Sequence, residues 1–360
     1  MRIVFRVDVS LVSGFGHLSR CLTLARSLMD KNHEVIFISR QFISRSYDQI
    51  TDNHFKSIIL TKPSKLDIKN HESYKNWLGV SSQKDAEETI DICKNLGKID
   101  WLIIDHYGIN KDWHQLLREH VRNILVIDDL ANRDLDCDLL LNQSYEFNPK
   151  AYDNLLPDST RKLIGSDYVL MRKEFYYLRE QAKFKRKEQK NINDIIIFFG
   201  TIGDKNLTLN ALNAIDEIAW DKEPNIRLIL GRDSPYMEEL EYKLQSYRLS
   251  CELLSNVLNM ESLLLEADIA IGAGGMNSWE RCCLGLPTLI TLSAENQKDN
   301  ITSLQKSGSV RYWASSNDLK DHLTKMANDY SMVSEMSNNA FKVCDGNGTD
   351  RVTREMINAT

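Results

Sequence analysis

Short apolar runs rich in valine and isoleucine recur along this chain, each followed by an amphipathic helical stretch, and the whole rhythm occurs twice. In the first half the runs are residues 3–7, 35–38, 101–104, 124–127 and 139–141, with helical segments such as 18–31, 84–96 and 111–120 between them. A strand that is apolar on both faces has to be covered on both, and alternation with helices supplies that cover. A parallel sheet between helical layers is therefore predicted. The rhythm restarts at 195–199 and continues through 226–230, 251–254, 269–271 and 288–291. Between the two series, Arg172-Lys173-Glu174-Phe175 through Lys183-Phe184-Lys185-Arg186-Lys187 is charged, shows no buried face of its own, and reads as a solvated helix and linker. Residues 41–80 are polar and irregular and take no placement from pattern.

The chain has 360 residues, which is long for one core and suits two domains of about 150–200 residues with a cleft between them. The expected division is 1–175, a linker at 176–192, a second domain at 193–340, and a C-terminal helix at 341–360 that packs back on the first. The fold class is α/β, with two Rossmann-like doubly wound domains facing a cleft, the architecture called GT-B in sugar-nucleotide enzymes. A net charge of -6 with 27% charged residues gives no general attraction to nucleic acid or to anionic membrane. No run of about 18 apolar residues and no signal-peptide pattern occurs, so a cytoplasmic protein is expected. The seven cysteines include no CxxC pair, and the histidines no HExxH, so neither a disulfide framework nor a metal site is predicted.

In open α/β sheets ligands lie beyond the carboxyl ends of the strands, so the loops after strands carry the chemical reading. The first is Gly14-Phe15-Gly16-His17-Leu18-Ser19-Arg20. Paired glycines let a ligand approach the backbone, and the helix that starts beside them turns unpaired N–H groups toward an anion. His17 stands where that field favours the neutral ring, able to take a proton; a hydrogen-bonded cap is the plainer reading of such a histidine. The second loop is Asp105-His106-Tyr107-Gly108, with Asp128-Asp129 after the next strand. Carboxylates there can orient a histidine or a hydroxyl, or simply cap helices.

The third loop is Gly272-Ala273-Gly274-Gly275-Met276-Asn277-Ser278-Trp279-Glu280, where Glu280 could accept the hydroxyls of a ribose, and Gly200-Thr201-Ile202-Gly203-Asp204 is its counterpart after an earlier strand. The fourth is Ala294-Glu295-Asn296-Gln297, with amide groups suited to a sugar or a water. A dinucleotide site is disfavoured, because Ser19 replaces the third glycine of GxGxxG and the second strand ends Ile38-Ser39-Arg40 without an acid. The DxD pattern in Asp134-Leu135-Asp136-Cys137-Asp138 is short and precedes a strand instead of ending one.

Together these pieces resemble the UDP-2,4-diacetamido-2,4,6-trideoxy-β-L-altrose hydrolases of pseudaminic acid biosynthesis, relatives of GT-B transferases. The resemblance rests on Arg6-Val7-Asp8-Val9-Ser10, the Gly14–His17 loop with its helix, Asp105-His106-Tyr107, Ile127-Asp128-Asp129-Leu130-Ala131, Cys137-Asp138-Leu139-Leu140-Leu141-Asn142-Gln143, Trp279-Glu280-Arg281-Cys282-Cys283-Leu284-Gly285-Leu286-Pro287 and Asn296-Gln297. It implies hydrolysis at the anomeric carbon with release of UDP, needing neither metal nor cofactor. It implies that His17 activates water and that the second domain holds UDP. With the strand-end loops, the expected catalytic set is His17, Asp105 and Tyr107, and the expected substrate contacts are Gly14, Gly16, Arg20, Asn296 and Gln297. UDP is expected on Gly200, Thr201, Gly274, Gly275, Met276 and Glu280. The partners implied are a UDP-sugar and other enzymes of the same bacterial surface-glycan pathway, without nucleic acid or membrane insertion. Gly200-Thr201 and Gly275-Met276 depart from the family's pattern at positions expected near phosphate. A GT-B glycosyltransferase using the same loops on an acceptor hydroxyl is the alternative.

Overall fold

The computed structural model describes residues 1–10, 15–42, 48–63, 74–232 and 234–360, and divides into two units: 1–170 with 348–360, and 171–347. In the first unit β1 (Arg2–Val7), β2 (Glu34–Arg40), β3 (Lys56–Leu60), β4 (Trp101–Asp105), β5 (Asn123–Ile127), β6 (Leu139–Asn142) and β7 (Arg161–Ile164) form one parallel sheet in the order β3-β2-β1-β4-β5-β6-β7. Its helices are α1 (Gly16–Met29), α2 (Asp48–Asp52), α3 (Ser82–Leu96) and α4 (Lys111–Leu117). The continuous apolar strands are buried on both faces, as their composition requires. Ile3, Phe5 and Val7 of β1 pack with Leu18, Cys21, Leu24 and Leu28 of α1, whereas Val4 packs with Ala86 and Cys93 of α3 and Trp113 of α4.

The second unit repeats the plan. Helix α5 (Lys173–Glu188) leads into β8 (Asp194–Phe198), α6 (Lys205–Asp216), β9 (Asn225–Leu230), α7 (Met237–Leu244), β10 (Cys251–Ser255) and α8 (Met260–Glu266). Then follow β11 (Ile269–Ala273), α9 (Asn277–Cys283), β12 (Thr288–Thr291), α10 (Lys298–Lys306), β13 (Val310–Tyr312), α11 (Ser316–Asn328) and α12 (Tyr330–Val343). The sheet is parallel in the order β10-β9-β8-β11-β12-β13. The final helix, α13 (Gly348–Asn358), belongs to the first unit, where Val352 and Met356 enter the core beside α1 and Thr353 hydrogen-bonds Ser27 at 3.0 Å.

Two expectations change. The charged stretch 176–192 is no linker: most of it lies in α5, a helix of the second unit that buries Phe175, Ala182 and Arg186 along one side. Arg186, only 5% exposed, explains why sequence polarity misled, because its guanidinium donates to the carbonyls of Leu264 and Ala267 at 3.0 and 2.5 Å and so caps α8. Of the stretch 341–360, residues up to Asn347 stay with the second unit.

In each sheet the strand order reverses at one place, between β1 and β4 in the first and between β8 and β11 in the second. Crevices for ligands open outside the carboxyl ends at such switch points. In the first unit that edge carries Asp8 and the turn Asp105-His106-Tyr107-Gly108; in the second it carries the loops after Phe198 and Ala273.

Candidate functional site

The switch point of the first unit gathers a set of buried charges. α1 begins at Gly16, and its preceding residue Phe15 offers no side-chain cap, so His17 stands in the first turn, 8% exposed. Its Nδ1 lies 2.6 Å from Oδ1 of Asp105, the last residue of β4. Arg20, one helical turn on, donates from Nε to Asp105 Oδ2 at 2.6 Å and from Nη2 to Oδ1 at 2.7 Å, a two-pronged pair, and from Nη1 to Asp129 Oδ2 at 2.5 Å. Tyr107 donates its hydroxyl to the same Asp129 oxygen at 2.9 Å, and its ring meets His17 edge-on with centroids 4.6 Å apart.

Burial alone would raise the Asp105 carboxyl, but the Arg20 guanidinium and then His17 outweigh it and hold the group well below the ordinary carboxylate range. An ionised carboxylate only accepts hydrogen bonds. At 2.6 Å it therefore assigns the hydrogen to Nδ1 of His17 and leaves the lone pair on Nε2. Burial, followed by the Asp129 charge, pushes the Tyr107 phenol up, so it remains a donor. A histidine oriented by a buried acid is the geometry of a general base.

Asp128 and Asp129 part company. Asp128 is fully buried and accepts from Tyr152, Arg133 and the backbone N–H groups of Leu130 and Ala131, which makes it the organiser of its turn. Asp129, with a side chain 22% exposed, joins Arg20 and Tyr107. Asp136 and Asp138 of the DxD pattern both pair with Arg118, at 2.5 and 2.6 Å. Gly14 lies outside the described residues.

Sequence reasoning missed an aromatic wall. The 3-10 turn Tyr74–Leu78 sets Tyr74 and Trp77 against Tyr107 at 5.3 and 5.6 Å, and Trp77 stands edge-on to His17 at 6.2 Å. Both rings come from the stretch without periodicity. Their only signal was an aromatic pair within a polar run.

In the second unit the corresponding edge is built by close backbone approach. Gly231 N donates to Thr201 O at 2.8 Å, and a Cβ on Gly231 would sit 2.2 Å from that oxygen, so the loops after β8 and β9 touch without room for a side chain. Gly200 has φ +93, a conformation that favours glycine. After β11, a Cβ on Gly274 would meet Ile301 at 2.3 Å, and Asn300 donates to Gly274 O at 3.1 Å. The amide of Gln297 is the nearest group to the Cβ position of Gly275, at 3.5 Å, and Asn296 beside it is exposed. Asn277, which follows Met276, donates to Glu280 Oε2 at 2.7 Å, and burial pushes the Glu280 carboxyl up. The turn thus brings Gly274 and Gly275 beside Gln297, with Glu280 in the first turn of the helix that follows.

Two α/β units with parallel sheets of seven and six strands define the GT-B fold class. MurG of Acinetobacter baumannii superposes with a TM-score of 0.71 at 15% identity, covering 99% of this chain and all of that one, which shows the fold alone. No family model matches the chain. The uncharacterized protein MJ1062 of Methanocaldococcus jannaschii is 28% identical over 310 residues, 83% of this chain, and the chain spans only 57% of that relative's length. The UDP-2,4-diacetamido-2,4,6-trideoxy-beta-L-altropyranose hydrolase of Campylobacter jejuni is 27% identical over 313 residues, 86% of this chain and 97% of its own. Among the described residues no helix is long and apolar enough to cross a membrane.

Proposed function

We propose that this chain hydrolyses a UDP-linked 2,4-diacetamido-2,4,6-trideoxy sugar (UDP-6-deoxy-AltdiNAc) at its anomeric carbon, releasing UDP and the free sugar for pseudaminic acid biosynthesis. The observation that carries this reading is His17, held by ionised Asp105 with its proton-accepting Nε2 left for solvent chemistry. The Campylobacter jejuni hydrolase, matched over nearly its full length, supports the choice of substrate.

In this scheme Nε2 takes a proton from water as the water oxygen bonds to C1 and the C1–O bond breaks, its electron pair leaving with UDP. Asp105 stabilises the imidazolium that forms. Arg20, expected on the substrate, is assigned instead to the carboxylates, because its guanidinium donates to Asp105 and Asp129. Tyr107 and Trp77 stand edge-on to the imidazole, and Tyr74 packs against both of them. Gly16, at the start of α1, is assigned to the sugar together with Gly14 of the same loop. UDP is assigned to Gly200, Thr201, Gly274, Gly275, Met276 and Glu280, with Asn296 and Gln297 contacting the sugar. No step of the scheme calls on a metal ion or organic cofactor. The same reading puts the enzyme in the bacterial cytoplasm, serving flagellin or surface-glycan modification beside other enzymes of the pathway.

A panel of UDP-sugars followed by NMR tests the proposal. UDP release from the diacetamido sugar in buffer alone is the expected result. Release that requires an added acceptor hydroxyl would make the protein a glycosyltransferase, and no release under either condition would remove both readings.

A further inference from the structure

His106 lies between the two residues that face His17, yet it points into a different set of partners. The backbone N–H of Gly108 donates to His106 Nδ1 at 3.0 Å, so that nitrogen carries the lone pair and the hydrogen resides on Nε2. Nε2 in turn stands 3.3 Å from Asp8 Oδ2. Asp8 is 3% exposed and held from several sides: Arg6 donates to both its oxygens at 2.5 and 2.9 Å, and the backbone N–H of Arg40 donates to Oδ1 at 2.6 Å. Arg6 continues to Asp85 of α3 at 2.6 Å, and Asp85 also receives Arg40 at 2.8 Å and the Trp113 indole at 3.0 Å. The ring of His106 therefore ends a buried, fully paired chain of charges rooted in β1, β2, α3 and α4.

The turn it closes has no slack. A Cβ on Gly108 would lie 2.9 Å from His106 Cε1 and 2.7 Å from the Tyr74 carbonyl. Asp105 precedes His106 and Tyr107 follows it, so whatever fixes this ring fixes the backbone that presents both. We propose that His106 is a positioning residue: its two nitrogens bridge the Gly108 N–H and Asp8, and this bridge sets Asp105 against His17. The inference rests on the reading of His17 and Asp105 as the reacting pair. It adds that the two histidines hold opposite tautomers, Nδ1–H in His17 and Nε2–H in His106.

The test compares wild type with His106→Leu, which loses both bonds, and His106→Asn, whose side-chain oxygen can still accept from the N–H two residues on, as in an Asx turn. ¹⁵N-histidine NMR should show opposite tautomers in the wild type, with a low-field Nδ1–H signal for His17. In His106→Leu that signal should shift or broaden, and kcat should fall about 10²-fold while KM and UDP affinity stay within about two-fold, since a displacement of about 1 Å costs that much rate. Asparagine should recover most of both losses. An unchanged His17 signal in His106→Leu overturns the inference whatever the activity, and so does an asparagine variant no better than leucine. Wild type without turnover on any UDP-sugar overturns the proposed reaction instead, because the NMR signal still decides the positioning role. Should leucine prevent folding, His106→Ala, which also loses both bonds, takes its place with the same expected and overturning results.

Discussion

His17→Asn is expected to lower kcat by about 10²–10⁴ while leaving UDP affinity within about two-fold, because a positioned general base contributes that much and the loops proposed for UDP belong to the other unit. Asparagine keeps a polar group of similar size next to Asp105 but has no basic nitrogen. Measuring kcat by UDP release and UDP binding by calorimetry separates the two effects. A variant with full turnover would remove His17 from the reaction, and one that loses UDP affinity in parallel would mean the residue serves binding or folding.

Asp105→Asn is expected to damage both rate and stability. An amide can turn its NH₂ toward Nδ1, which places the histidine's hydrogen on Nε2 and deprives the ring of its basic face; a loss of about 10²–10⁴ in kcat follows. The same change strips Arg20 of its buried, two-pronged partner, and breaking such a pair costs about 3–5 kcal/mol. The pH dependence has a definite sign. Because the folded-state carboxyl lies below its unfolded value, its contribution is fully present above the ordinary carboxylate pKa of about 3.9 and is lost as pH falls through the folded value. Urea denaturation should therefore show the full difference between wild type and variant at pH 5–8, shrinking only in strong acid. A difference that does not vary with pH down to the acid limit would assign the loss to packing.

The fold was readable because strands buried on both faces must be apolar throughout, and runs such as Ile3-Val4-Phe5 and Ile195-Ile196-Ile197 mark them without ambiguity. The loops after those strands were readable for the same reason, since the ends of strands locate them. What the sequence concealed were pairings. Arg186 lies in a run of charges and looks solvated, but its partners are backbone carbonyls that no side-chain pattern reveals. Asp128 and Asp129 are adjacent and chemically alike, and only the opposite directions of neighbouring side chains send one to Tyr152 and the other to Arg20. Arg6, Asp8 and Asp85 converge from positions up to 79 residues apart, a separation no local pattern spans. Tyr74 and Trp77 escaped because a 3-10 turn carries no periodicity to detect.

Hydrolysis of the UDP-diacetamido sugar in ¹⁸O-water tests most directly whether an activated water attacks the anomeric carbon. Mass spectrometry should find the label in the released sugar and none in UDP. Label in the β-phosphate of UDP would mean attack at phosphorus, and His17 would then have no place as the base for substitution at carbon.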